Sequence, residues 1–239
     1  MSDAFTNPST PYLVAEAPAE ERAAFIRRTY WHLALAILAF TSLEVIFFQT
    51  GIASLIAATV LGGKLSWGIV LLAFIGVSWL TERWAENSTS TFMQYFALSV
   101  YVLAESIIFV PMLYIALFFC PPTVLPNAVI ITALLFLGLT VTAFTTRKDF
   151  SFLRGILCIG GFTALGIIVA SLLFGFELGV LFSSVMVLFA GGAILYSTSN
   201  VIHRYNTDQH VAAALSLFAA VALLFWYVLR ILIAIARRT

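Results

Sequence analysis

Charged residues are scarce in this sequence. Of its 239 residues, 12 are Lys or Arg and 11 are Asp or Glu, so 10% are charged whereas 62% are hydrophobic. A soluble globular domain takes about a quarter of its residues from the charged types. The composition therefore excludes a soluble domain. The net charge of +1, with basic residues mostly at the ends of apolar runs, argues against nucleic-acid binding.

Several residue types that mark enzymes or cofactor proteins are also rare. The chain has two cysteines, Cys120 and Cys158, which lack metal-ligand spacing and do not form a C-x-x-C pair. Its two lysines fall between apolar runs, so none is available for a retinal Schiff base in the last helix. The three aspartates lie in the N-terminal tail or in loops, which excludes the intramembrane pair of an aspartyl protease. We predict no enzymatic activity, no cofactor and no metal site.

Long apolar runs dominate the rest of the sequence. A helix needs about 20 residues to cross a hydrocarbon core of about 30 Å, and the bilayer offers no partner for unpaired backbone groups. We therefore predict an all-α polytopic membrane protein whose main partner is the lipid bilayer. The seven predicted spans are residues 29–50, 66–81, 91–118, 126–146, 152–174, 178–202 and 211–236.

The spans divide the chain into a short tail and one membrane domain. Residues 1–22 lack the apolar core of a signal peptide and are predicted to be a largely disordered cytoplasmic tail, followed by a seven-helix domain over residues 23–239. Residues 51–65 are moderately apolar, and they form either an interfacial turn or an extension of a neighbouring helix.

The distribution of basic residues predicts the orientation. With the N-terminus in the cytoplasm, eight of the twelve basic residues lie on the cytoplasmic side, as the positive-inside rule requires. The C-terminus lies outside if all seven spans cross fully, and inside if the last one is re-entrant. The eight residues are Arg22, Arg27, Arg28, Arg83, Arg147, Lys148, Arg154 and Arg204.

A few ionisable residues lie inside the predicted spans, where such residues usually have a function. Glu105 is near the middle of span three, too deep for its carboxylate to reach either interface. Arg230, six residues before Ala236, either extends to the interface or turns inward toward a carboxylate. Glu44 lies close to the end of span one, so solvation at the interface and a functional role are equally good interpretations of it.

Three histidines lie at span ends, and none forms an H-E-x-x-H or similar metal pair. Imidazole titrates near physiological pH, so a pH-sensing role for His203 or His210 is a hypothesis that the sequence permits.

Two segments resemble the Bax-inhibitor-like (transmembrane Bax inhibitor motif) family. They are AFTTRKDFSFLRG, residues 143–155, and AFIRRTYWHLAL, residues 24–35. The order and lengths of the seven spans are also similar, so the resemblance covers about residues 22–236. It implies six helices around a central last helix, and a calcium or calcium and proton leak that depends on pH. For other members it implies regulation of cell death or of a membrane-bound quality-control protease.

The chain departs from this family at the proposed pH sensor. The family places an aspartate in each of the sixth and seventh helices, where this chain has Ser197 and Ala220. Without the two carboxylates there is no shared proton and no paired oxygen site for calcium. Glu105 resembles the acidic position of the family's third helix, and Arg230 the basic residue near the end of its last helix.

Two functional hypotheses follow. In the first, the protein is a calcium or proton leak channel of the bacterial inner membrane with altered or absent pH gating. Glu105, Ser197, Ser199 and Glu44 then line the ion pathway, and Arg230 and His203 act in gating or as a counter-charge. In the second, it is a non-transporting regulator that binds a membrane protease or another integral membrane protein involved in stress or cell death.

Overall fold

Helices make up almost all of the chain. A computed structural model describes residues 12–87, 90–146 and 148–237. Seven of the helices in these ranges are long and apolar enough to cross a membrane, and one is a short apolar helix. The predicted all-α class and the seven spans are confirmed. The helices are α1 (Ala19–Gln49), α2 (Ile52–Leu61), α3 (Lys64–Asn87), α4 (Thr91–Phe118), α5 (Val124–Thr146), α6 (Leu153–Phe174), α7 (Val180–His203) and α8 (His210–Ala236).

The short helix α2 follows a left-handed glycine. Gly51 has φ of +79°, a conformation that residues with a Cβ adopt at a steric cost, and it separates α1 from α2. Ala53 and Ala57 of α2 are buried against Val110 of α4. Residues 52–61 thus form a separate helix rather than a turn or an extension of α1.

The segment before α1 packs against the connection between α7 and α8. Leu13 pairs with Asn206 in an isolated β-bridge, and the Val14 N–H donates to the Tyr205 carbonyl oxygen at 2.9 Å. The Val14 side chain is fully buried. From residue 12 onward the structure differs from the predicted disordered tail, because these contacts hold the segment and α1 already begins at Ala19. Residues 1–11 lie outside the described ranges.

The bundle has two ends. We call the end that carries the start of α1 and the α3–α4, α5–α6 and α7–α8 connections the N side, and the opposite end the C side. Seven of the eight basic residues predicted to be cytoplasmic lie on the N side. Arg147, the eighth, is outside the described residues, as are Arg238 and the side chain of Lys64.

Helix α8 lies at the centre of the bundle. It packs against α1, α3, α4, α5 and α7, and residues such as Leu217, Leu224 and Leu229 are fully buried. Helix α6 instead packs against α7 and α3. A Cβ on Gly160 of α6 would lie 2.9 Å from the Phe189 ring of α7, so this close approach depends on the glycine. Between α6 and α8 lies a cavity.

Candidate functional site

The predicted residue Glu105 faces this cavity. It lies near the middle of α4, its side chain is only 5% exposed, and its Oε2 atom has no hydrogen-bond partner. The cavity has a volume of about 380 Å³ and is bounded by α3, α4, α6, α7 and α8. We call it the Glu105 cavity. Apolar and aromatic side chains form most of its wall, so the carboxylate is a lone acid in an apolar space.

The predicted counter-charge Arg230 lines the same cavity. Its Nη2 donates a hydrogen bond to the Leu178 carbonyl oxygen at 2.9 Å, in the connection between α6 and α7. The structure thus brings Glu105 and Arg230 to one cavity, with the guanidinium bound to a backbone carbonyl rather than to the carboxylate.

A second cavity adjoins the first on the C side. It has a volume of about 570 Å³, and Trp67, Leu178, Trp226 and Arg230 belong to the walls of both. We call it the C-side vestibule. The Trp67 and Trp226 rings are stacked, with centroids 5.9 Å apart and planes 9° apart. These two rings and Arg230 therefore stand at the boundary between the Glu105 cavity and the vestibule. The polar residues of the vestibule include Glu177, Ser183 and Arg237.

Toward the N side, the same helices are tightly packed. Leu98, Tyr101 and Val102, on the turns of α4 before Glu105, are buried in one cluster with Phe218 of α8. The Tyr101 and Phe218 rings meet edge to face with centroids 6.1 Å apart. Large side chains thus fill the N-side half of the α4–α8 interface.

Glu44 lies in a different cavity. This space, which we call the Glu44 cavity, has a volume of about 430 Å³ and lies between α1, α4, α5 and α8. Phe109 belongs to the walls of both this cavity and the Glu105 cavity and stands between them. Glu44 is 7% exposed, and neither carboxylate oxygen has a hydrogen-bond partner. The structure does not bring Glu44 and Glu105 together.

Ser197 lies in the interface between α7 and α8. Its hydroxyl is 3.0 Å from the Ser216 hydroxyl, and either group can donate. Sequence reasoning missed Ser216 because it followed the family position Ala220, which lies four residues later in the other apolar cluster of the core. A lone serine within an apolar run was the available signal. Ser197 is not part of the Glu105 cavity wall.

Ser199 anchors the connection between α5 and α6, and His203 contacts Ser199 within α7. The Phe150 N–H donates to Ser199 Oγ at 3.0 Å, and His203 Nδ1 is 3.0 Å from the Ser199 carbonyl oxygen. Asp149 Oδ1 accepts a hydrogen bond from the Ser151 N–H at 2.8 Å, which lowers the pKa of the Asp149 carboxyl. The segment TTRKDF, singled out in the sequence, thus ends in a capped turn anchored on α7.

Seven apolar helices, a central α8 and a lone acid in a cavity between the helices define a polytopic integral membrane protein. The family model described as "Inhibitor of apoptosis-promoting Bax1" matches residues 22–238, and the chain belongs to this family. The resemblance drawn from the sequence is therefore confirmed.

Curated relatives extend across kingdoms. The chain is 34% identical over 168 residues to an uncharacterized protein of Pseudomonas aeruginosa, covering 68% of this chain and 72% of that protein. It is 31% identical over 226 residues to the LIFEGUARD 3 protein of Arabidopsis thaliana, covering 91% and 87%. It is 38% identical over 102 residues to the modulator of FtsH protease YccA of Escherichia coli, and this match spans 42% of the chain and 46% of that relative.

Proposed function

We propose that the protein is a cation leak pathway of a bacterial inner membrane, closed toward the N side in this structure, and that Glu105 is its cation-binding group. The observation that supports the proposal is the unpartnered, buried carboxylate of Glu105 in a cavity that adjoins the C-side vestibule. An ionisable group at this depth is costly for a membrane protein and usually marks an ion or proton pathway.

The chemistry of the site favours weak binding of a hard cation or a proton. Calcium prefers six to eight oxygen ligands, and a single carboxylate with few polar neighbours supplies too few of them for tight binding. Conduction needs binding that is strong enough for entry and weak enough for exit. A lone glutamate meets this requirement better than a complete metal site.

Arg230 is the residue through which the pathway can be regulated. Its positive charge borders both the Glu105 cavity and the vestibule, where it opposes the passage of a cation. The guanidinium is held by the Leu178 carbonyl, so a shift of the α6–α7 connection moves the charge. We expect the open state to carry Arg230 away from the boundary between the two cavities or toward Glu105.

Reconstitution in liposomes tests the proposal. Calcium and proton flux are measured over about pH 5 to 8 for the wild type and for Glu105→Gln, which keeps the shape and removes the charge. We expect Glu105→Gln to lower the flux by at least roughly tenfold. Glu20→Gln, the same change at an exposed residue of the first turn of α1, is the matched control and should leave the flux unchanged. Wild-type flux equal to that of empty vesicles would contradict the proposal.

The same assay tests whether the family's pH gate can be restored. The resemblance suggests Ser197→Asp with Ala220→Asp, whereas the observed contact suggests Ser197→Asp with Ser216→Asp. We expect a pH-dependent flux in the pair whose carboxylates share a proton. A flux independent of pH in both pairs would show that the aspartates alone do not form the gate in this scaffold.

The orientation belongs to the proposal as well. The basic residues of the N side favour a cytoplasmic position for that side, and the vestibule then faces the opposite compartment. A protease-protection experiment on a tagged N-terminus in intact spheroplasts measures this directly.

A second candidate function is modulation of a membrane protease. It is favoured by the similarity to the modulator of FtsH protease YccA. The structure sharpens its test, because residues 12–14 contact the α7–α8 connection, whereas residues 1–11 lie outside the described part of the chain. Eleven residues span at most about 40 Å when fully extended.

Two deletions separate the tail from the docked segment. Removal of residues 2–11 leaves the Val14 contacts intact, whereas removal of residues 2–20 also deletes them. If the tail engages a membrane protease, we expect the shorter deletion to abolish co-purification of the protease. Retention of the protease by both deletion variants would exclude a role for the tail.

A further inference from the structure

The Glu44 cavity contains two buried polar groups without partners. Both carboxylate oxygens of Glu44 and the hydroxyl of Thr132 lack hydrogen bonds, and both side chains are more than nine-tenths buried. Leaving a buried polar group unsatisfied costs about 1–3 kcal/mol, and more when the group is charged. A ligand with a polar group at this point of the cavity would satisfy both.

The rest of the wall is apolar and strongly aromatic. Among the described residues that line the cavity there is no Lys, Arg or His. The volume of about 430 Å³ is in the range of small-molecule sites, which are mostly apolar with a few polar groups that fix orientation. Aromatic faces also attract cations. The aromatic members of the wall are Phe40, Phe48, Phe109, Phe136, Phe218 and Phe225.

The cavity opens sideways, between α1 and α5. Within the described chain, no Cα atom of α1 lies within 8 Å of one of α5. Ile37 of α1 and Val129 of α5 belong to the wall and are also 37% and 52% exposed. In a seven-span bundle this exposed surface faces lipid, so a ligand can enter directly from the bilayer. The Tyr30 and Phe144 rings, with centroids 5.9 Å apart, close the gap toward the N side.

The depth of Glu44 matches the position of an amphiphile's head group. Glu44 lies five residues before the end of α1 at Gln49, which is about 7–8 Å along the helix axis. Amphiphilic molecules keep their charged group close to the interface and their apolar body in the hydrocarbon. The carboxylate is therefore placed where the ammonium of a membrane-dissolved amine resides.

We propose that the Glu44 cavity binds an amphiphilic organic amine, with its ammonium group at Glu44 and Thr132 and its apolar body among the phenylalanines. The charge of the site selects this class, because a wall with one carboxylate and no cationic residue leaves the phosphate of a zwitterionic lipid or an anionic detergent without a partner. This site is separate from the proposed leak pathway, and either proposal can fail without the other.

The binding of one amine to the protein tests the proposed site. The probe is radiolabelled para-octylbenzylamine, which is cationic at neutral pH, and the full-length protein is placed in phosphatidylcholine nanodiscs. Uptake by empty nanodiscs is subtracted to remove partitioning into lipid. We expect saturable binding to the wild type that Glu44→Gln weakens on the order of tenfold and Thr132→Val about threefold. Glu20→Gln, at an exposed position, should bind like the wild type.

Two further measurements test which class of ligand the site binds. The neutral match, para-octylbenzyl alcohol, should bind at least roughly tenfold more weakly than the amine. Ala133→Phe, which places a ring at the exposed rim of the cavity, should block the site while leaving the size-exclusion profile of the protein unchanged. Equal binding of amine and alcohol, or an unaltered affinity in Glu44→Gln, would overturn the assignment. So would weaker binding of the amine in nanodiscs made with phosphatidylethanolamine, because this would show that a lipid occupies the site.

Discussion

The contact between Ser197 and Ser216 links α7 to the central helix through two hydroxyls. The atoms are 3.0 Å apart, and Ser197 is buried. A serine in a helix can also bond to a carbonyl of its own helix, so the contact between the helices is one of two choices for each hydroxyl. The pair therefore contributes modestly to stability, and the contribution depends on both members being present.

We predict that Ser197→Ala and Ser216→Ala each lower the free energy of unfolding by about 1 kcal/mol. The double variant should cost clearly less than the sum, because the second substitution removes a hydroxyl that the first had already left without its partner. Denaturant titration in mixed micelles gives the three values. Strict additivity would show that the hydroxyls do not interact.

At the scale of single residues, the sequence predicted Glu105 as an acid inside a span but did not predict which side chains surround it. Glu105 was identifiable because the ends of its span could be counted. The cavity around Glu44 depends on how α1, α4, α5 and α8 pack together, and these helices are far apart in sequence. Ser216 was visible only as a lone serine in an apolar run, and its contact became apparent once α7 was placed opposite it. Contacts between distant helices are set by packing, and a linear pattern does not contain them.

The short connection between α5 and α6 contains a turn whose stability depends on the charge of Asp149. Asp149 is exposed and caps the turn before α6 through the Ser151 N–H, and Phe150 is anchored on Ser199 of α7. The cap is strongest when Asp149 is ionised, and its pKa is lowered accordingly. Its contribution to local stability is thus fully present above the unfolded-state pKa of about 3.9. It is lost as the pH falls through the lower pKa of the folded state.

We predict that the α5–α6 connection loosens in acid and that Asp149→Asn removes this pH dependence. Hydrogen exchange of a peptide covering residues 148–153, corrected for intrinsic rates, measures protection between about pH 2 and 6. Protection in the wild type should fall with decreasing pH, whereas in Asp149→Asn it should be low and constant. The same pH profile in both proteins would assign the effect to another group.

The positions of the helices were more predictable from the sequence than the contacts between them, because the apolar length of each span is a local property. The ends of α4, α5 and α6 lie within two residues of the predicted ones, since apolar length alone sets them. The apolar pattern predicted neither helix α2 nor the early start of α1. The first depends on the left-handed Gly51 and on burial against α4, and the second on the docking of Val14 beside Tyr205.

The whole molecule is asymmetric along the membrane normal. The N-side half of the α4–α8 interface is filled by large side chains, whereas its C-side half, which also contains a buried apolar cluster, borders the vestibule and the Glu105 cavity. Because α8 is central, it contributes Phe218 to the packed N-side half and Trp226 and Arg230 to the walls of the two cavities, so one helix couples the two ends. A rigid displacement of α8 would therefore change both halves at once.

We predict that solvent enters the C-side vestibule and does not reach the packed N-side half. In a background in which Cys120 and Cys158 are replaced by serine, a single cysteine replaces Ala234, a half-buried residue of the vestibule wall, or Ser197, in the packed α7–α8 interface. A membrane-impermeant cationic methanethiosulfonate, added to each side of reconstituted vesicles, should modify Ala234→Cys from the C side only. Its rate should exceed that of Ser197→Cys on the order of tenfold, because reaction at the packed site requires local opening. Faster modification of Ser197→Cys, or modification of Ala234→Cys from the N side, would mean that the closed end has been assigned wrongly. The leak proposal would then need the opposite polarity, with the closed end on the C side.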